Sequence, residues 1–154
     1  MGNVMGYLEL TLENVEFNST IEYLFNVINT SKLKNYTVLT DNGHIDLQSL
    51  EKLKSSIVSS SDGSFYFNVL DFNILDTTLN VVGLQVLKHN LKYDLHIDFQ
   101  VVDLKGKVSV IDLQKFASLL SLRLKALHYY CGLEPAHDQN TRLFTGNYIG
   151  PMIL

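Results

Sequence analysis

The chain has 154 residues, 46% of them hydrophobic, with 12 basic against 16 acidic side chains and a single cysteine. That length suits one domain, 1–154, able to withdraw roughly 70% of its extended-chain surface from water, and the composition excludes a disordered or disulfide-stapled chain. The acidic excess is uneven, ten acids against four bases through Thr77 and six against eight afterwards, so the first half would repel nucleic acid and attract a basic partner.

Tyr7 to Glu13 alternates, with Leu8, Leu10 and Leu12 opposite Glu9, Thr11 and Glu13, and reads as a half-buried strand. Ser19 and Glu22 form a capping box for a helix carrying Ile21, Leu24, Phe25 and Ile28. Tyr36 to Thr40 is a β-branched and aromatic strand closed by the Asp41-Asn42-Gly43 turn, and whether Ile45 pairs back is left open. Asp46 caps a second helix with Leu47, Leu50, Leu53 and Ile57, ending at Ser59 to Gly63. The period then changes to two, and Phe65 to Phe72, Leu79 to Leu87 and Leu91 to Val102 read as antiparallel strands with short connections.

From Ser109 to Gly132 the pattern predicts one long, mostly buried helix, with Ser109 as N-cap and Gly132 and Pro135 as stop signals. Its apolar stripe runs Leu113, Phe116, Leu120, Leu124, Leu127 and Cys131, widened by Leu119, Leu122, Ala126 and Tyr130. The last 20 residues or so match neither period, yet Leu143, Phe144, Tyr148 and Ile149 make them too apolar for a free tail. The order β-α-β-α-β-β-β-α implies an α+β fold: an antiparallel or mixed sheet of about five strands with helices packed on one face and polar side chains on the other.

Address signals are few. Gly6 stands where a myristoylation motif needs Ser or Thr. Asn18-Ser19-Thr20, Asn29-Thr30-Ser31 and Asn35-Tyr36-Thr37 match glycosylation triplets with no secretory pattern before them. Asp112, Lys115, Arg123 and Lys125 interrupt the long helix too often for a membrane span. Together with the single cysteine, this points to a reducing cytoplasm and no membrane association.

Asp94, His96 and Asp98 share one strand face, where they could bind a divalent metal, act as an acid/base pair, or form an acidic docking surface together with Glu9 and Glu13. His128, Cys131 and His137 form H-x2-C-x5-H, which supplies three zinc-type ligands and no second cysteine pair, and a thiol in an apolar stripe makes a poor nucleophile. Glu134, Asp138 and Arg142 are placed to close an ion pair that holds the C-terminal loop, itself a second candidate for partner contact. No phosphate loop, nucleophile elbow or H-E-x-x-H stretch occurs, and no cofactor or metal is assigned.

Tyr129-Tyr130-Cys131-Gly132-Leu133-Glu134-Pro135-Ala136, then Asp138, Thr141-Arg142, Phe144-Thr145 and Gly150-Pro151, resembles the C-terminal ends of small bacterial immunity proteins that accompany contact-dependent or other polymorphic toxins. The resemblance covers about the last quarter of the chain. It implies a cytoplasmic, non-enzymatic binding module that inhibits a cognate toxin domain, and the acidic first half suits a basic toxin. The alternatives are a small metal-binding protein or hydrolase built on Asp94, His96 and Asp98, and a structural subunit of a larger assembly.

Overall fold

The chain is described by a computed structural model over residues 6–41, 43–44, 50–134, 136 and 138–153. Its organising strand is β1 (Tyr7–Glu13), in which Leu8, Leu10 and Leu12 are all fully buried. β1 pairs antiparallel on one side with β6 (Lys92–Gln100), Leu10 opposite Ile97, and on the other with β7 (His128–Leu133), Leu10 opposite Cys131. Beyond β6 come β5 (Thr77–His89), β4 (Asp62–Ile74), β2 (Lys32–Thr40) and the two-residue β3 (Gly43–His44). Beyond β7 come β8 (Arg142–Thr145) and β9 (Tyr148–Ile149). Among the described residues this is one nine-stranded sheet, every neighbouring pair antiparallel.

The fold is therefore α+β, with nearly twice the expected number of strands. Those over 62–100 stand where period-two alternation placed them, β4 and β5 extended by two or three residues at each end and β6 shorter than the expected Leu91 to Val102, whose last two residues open the turn Val101–Leu104. Leu91, expected on the core side, lies exposed in the β5–β6 turn. The additional strands are short or come from segments read as helix or irregular: β3, β7, β8 and β9. Gly43 and His44 pair back onto Thr40 and Leu39 as a hairpin, while Ile45, Asp46 and Leu47 lie outside the described residues.

Helices α1 (Phe17–Thr30), α2 (Leu50–Ser59) and α4 (Val110–Leu124) cover the apolar side of the sheet, and a single turn, α3 (Val101–Leu104), leads from β6 towards α4. Ile21 and Leu24 of α1 and Leu113, Ala117, Leu120 and Leu124 of α4 join Phe65, Phe67, Leu84, Ile97 and Phe99 of the sheet in one core. Phe72 meets Phe116 of α4 edge-on at 6.0 Å and Phe99 at 6.4 Å, tying helix to sheet. Lys88 is buried on this side, and its ammonium donates to the Ile57 and Val58 carbonyls in the last turn of α2, at 2.8 and 3.0 Å. The cation thus satisfies carbonyls that a helix C-terminus leaves without partners.

Two helix boundaries differ from the sequence reading, for local reasons. Helix α1 begins at Phe17, with Glu16 at the N-cap, and the Ser19 hydroxyl donates to the Glu16 carboxylate at 2.7 Å instead of capping an N–H. Helix α4 starts as expected, the Ser109 hydroxyl accepting from the Asp112 N–H at 3.1 Å, but it ends at Leu124 and not at Gly132. Lys125 takes the left-handed conformation (φ 55°) usually left to glycine. The Glu16 N–H donates to the Leu124 carbonyl there at 2.8 Å, and the Lys125 ammonium pairs with the Glu16 carboxylate at 3.0 Å. The predicted long buried helix is thus a 15-residue helix followed by a strand, with Leu119, Leu122 and Leu127 exposed. The stripe from Leu127 to Cys131 fitted a helical period, but the open edge of β1 takes these residues as a strand.

Leu120 lies in the middle of the buried face of α4. Leu120→Ala should cost on the order of 2–5 kcal/mol, whereas the part-exposed Ser118→Ala should be tolerated; equal chemical-denaturation midpoints for both variants would contradict the packing of α4.

Candidate functional site

The side of the sheet away from the core carries the polar members of each alternation, and four adjacent strands place them in register. On β1 stand Tyr7, Glu9, Thr11 and Glu13; across on β6, Gln100 faces Tyr7, Asp98 faces Glu9 and His96 faces Thr11. On β7, Tyr130 faces Thr11 and His128 faces Glu13. Thr11, 1% exposed, is the hub: its hydroxyl donates to the Glu9 carboxylate at 3.1 Å and lies 3.1 Å from His96 Nδ1. His96 Nδ1 also stands 3.4 Å from Glu9, each side chain only 16% exposed. Towards the β8 edge, the Tyr130 phenol is influenced by the Glu13 carboxylate, and the Arg142 guanidinium stacks over the Tyr130 ring at 4.0 Å. Arg142 is held by its Nε donating to the Ala136 carbonyl at 2.8 Å and by Thr145.

Towards the other edge, the face opens into a cleft of about 480 Å³ whose lining includes Tyr7, Lys34, Tyr66, Gln85, Asp98 and Glu134. Gly83 forms its floor, and a Cβ there would stand 2.5 Å from the Tyr66 hydroxyl, which donates to Asn68. Only glycine lets the Tyr66 ring lie across β5 in this way. Carboxylate oxygens of Glu9, Asp98 and Glu134 come within 4.8 Å of one another at the cleft wall. Asp98 Oδ1 is buried and accepts no hydrogen bond from the described residues.

The charges settle accordingly. Burial, then the nearby Glu134 and Glu9 carboxylates, lift Asp98 from the ordinary 3.8 to about 7. Glu9 is held below its usual value chiefly by the His96 hydrogen bond, against its own burial. Burial works against the His96 cation, but Glu9, Asp94 and Asp98 together raise it above its ordinary value. Burial and the Glu13 carboxylate push the Tyr130 phenol up to about 12, so it stays a donor.

Not all of the residues singled out in the sequence converge here. Glu9, His96, Asp98 and Glu134 do, and Glu13 and Arg142 flank them through Tyr130. Asp94 serves the backbone instead, its carboxylate accepting from the Asn14 N–H at 2.9 Å, where the chain leaves β1 in a left-handed conformation (φ 52°). The trio Asp94, His96 and Asp98 is therefore not a ligand cage. Among the described residues, the carboxylates that come together are Glu9, Asp98 and Glu134. Asp138 caps the 3-10 turn Gln139–Thr141 by accepting from Asn140 N–H at 3.0 Å. His128 and Cys131 lie in a strand, not on one helical turn; Cys131 is buried on the core side, where burial pushes its thiol far up. His137 lies outside the described residues.

Residues 6–149 match the family model of the PABL017 Cdi1I immunity protein. The chain belongs to that immunity protein family. No curated protein matches it in sequence. Its fold is similar to a chain in the crystal structure of the toxic C-terminal tip of CdiA from Pseudomonas aeruginosa in complex with immune protein, at 29% identity and a TM-score of 0.80, covering 97% of this chain and 100% of that one.

In this family member the site residues that sequence reasoning missed are Thr11, Tyr130, Tyr66 and Gly83. Thr11 was legible as the residue between Glu9 and Glu13 on the polar side of β1. Tyr130 was hidden by its assignment to a helix, and Tyr66 and Gly83 meet only through the pairing of β4 with β5.

The pH dependence has a definite sign. Native Asp98 keeps its proton up to about pH 7 while the unfolded chain releases it near 3.8, so its contribution to stability falls as pH rises through that window. His96, raised, adds stability at low pH that is likewise lost on going up, whereas Glu9, lowered, adds stability that is lost as pH falls below its ordinary 4.5. Stability should therefore peak at mildly acidic pH. Asp98→Asn should be more stable than the wild type at pH 8 by on the order of 1–3 kcal/mol, with the advantage shrinking through pH 5 and gone near pH 3, below the unfolded value of 3.8, and thermal melts across this range check this.

Proposed function

We propose that this Cdi1I-family chain neutralises the toxic C-terminal domain of a cognate CdiA protein by binding it, without chemistry of its own, in the cytoplasm of the cell that makes it. The observation that carries this reading is the family match over residues 6–149, supported by the fold shared with a structure that holds a CdiA toxin tip together with its immune protein. The chemistry of the polar face favours binding over catalysis. Its imidazole is neutralised by Glu9, its phenol stays protonated, and the buried Cys131 thiol sits on the opposite side of the sheet. No described helix is long and apolar enough to cross a membrane.

The docking surface in this reading is the acidic side of the sheet: Glu9, Glu13, Asp94, His96 and Asp98, extended by Glu134 and Arg142 at the β7–β8 edge. Asp138, turned into its own loop, is the weakest member of the set. Three clustered carboxylates, one of them with an oxygen lacking a donor, favour a basic side chain brought by the partner, and Tyr130 with Arg142 supplies the aromatic and guanidinium surface common at interface anchors. A face of one sign also steers an oppositely charged partner, so association should slow as salt is raised.

The direct test is co-expression with the C-terminal toxin domain of a CdiA protein from the same genome, together with calorimetric titration of the purified pair. Glu13→Lys combined with Glu134→Lys should weaken binding about 100-fold, equivalent to roughly 2.7 kcal/mol, and should leave the melting temperature within a few degrees. Unchanged affinity would move the toxin to another surface, and absence of both binding and rescue in the wild type would remove the immunity reading itself.

A further inference from the structure

The outer face of α4 has no role in the acidic docking surface, since it lies on the helix side of the sheet. Ile111 is 72% exposed, Leu119 53% and Leu122 76%, three large apolar side chains in one helix that the core does not use. Asp112, Lys115 and Arg123 share the exposed side. At about 100° per residue, Ile111 and Leu122 stand within roughly 20° of each other on one flank of this face, and Asp112 and Arg123 within roughly 20° on the other. Both pairs are eleven residues apart, about 16 Å along the helix axis. Lys115 and Leu119 lie between the flanks.

This arrangement is its own complement under a two-fold axis. When a second α4 is laid antiparallel across the first, with the axis near residue 117, each flank meets its own copy in reverse order. Ile111 then faces Leu122 of the second copy, Asp112 faces Arg123, and the Lys115 stem covers Leu119 with its ammonium in water. Two apolar pairs and two opposite-charge pairs result, with no like charges opposed. Arg123 is already steadied by its stacking over Tyr23 at 5.2 Å, so its guanidinium is held on the required flank. A basic partner finds less here, because Lys115 and Arg123 outnumber Asp112, whereas the other side of the sheet offers it clustered carboxylates.

We propose that two copies of this chain pair through α4, antiparallel, leaving both acidic sheet faces open. The proposal does not depend on the immunity reading. A contact of one 15-residue helix with its copy falls at the small end of specific interfaces, and half-association on the order of 100 µM is the expected strength.

Sedimentation equilibrium from a few micromolar to about 1 mM tests it on the full chain, with melting curves to confirm that each variant is folded. The wild type should approach twice the 17.5 kDa chain mass at the upper end, and Leu122→Glu should stay monomeric. Asp112→Lys and Arg123→Glu should each weaken association about tenfold or more, and the double variant Asp112→Lys/Arg123→Glu should recover most of the loss, because the pairs are reversed and not removed. A wild type that remains monomeric at 1 mM overturns the proposal, and so does a double variant weaker than either single one. Loss of toxin binding by Leu122→Glu in a monomeric wild type would assign the face to the toxin.

Discussion

The pairing of β1 on both of its edges is the constraint on which the rest of the structure depends. β1 lies near the start of the chain, yet its neighbours are residues 92–100 on one side and 128–133 on the other. Closing those pairs joins the β2–β4–β5–β6 part of the sheet to the β7–β8–β9 part. Leu8, Leu10 and Leu12 are removed from water only when both neighbours and the helices are in place, so the hydrophobic gain of β1 comes with the whole assembly. Such distant contacts close large loops, and the fold should form late and cooperatively around this strand.

The same strand organises the candidate docking face, because its alternation is used on both sides. Glu9, Thr11 and Glu13 are the reverse of Leu8, Leu10 and Leu12. Burying the leucines therefore brings two carboxylates and a hydroxyl to the centre of the opposite surface. There His96 offsets part of the charge, the Thr11 hydroxyl bonds to Glu9, and Asp98, lifted to about 7, is only partly ionised near neutral pH. The face is thus held short of its full negative charge. A structural requirement and the proposed recognition surface are carried by alternate residues of one seven-residue strand.

The two sides of the molecule also differ in what they leave exposed. The sheet side presents carboxylates, tyrosines and a stacked arginine, and the helix side presents an apolar face on α4 with charges at its ends. As proposed, one side would attract a partner of opposite charge from a distance, whereas the other would gain only on close contact with a shape and charge pattern like its own.

Much of this was legible in the sequence wherever a periodicity had one physical interpretation. The alternations at 7–13 and 92–100 determined strands and the sidedness of their residues, because a strand buried on one face must alternate. The clean hydroxyl cap at Ser109 determined where α4 begins. The C-terminal motif by itself resembles the immunity proteins. The end of α4 could not be read: leucines and tyrosines at steps of three and four suit a helix, and the chain turns at Lys125, where the Ala126 N–H closes back on the Ser121 carbonyl and Glu16, more than a hundred residues away, takes the last helical carbonyl and the lysine charge. Once that turn is made, the vacant edge of β1 draws residues 128–133 into the sheet and brings Tyr130 and Arg142 to the polar side. Register decided the rest, since a carboxylate such as Asp98 acquires its character from burial and from Glu134, just past β7, and Glu9, on β1, and which strands bring these together is a property of the assembled sheet.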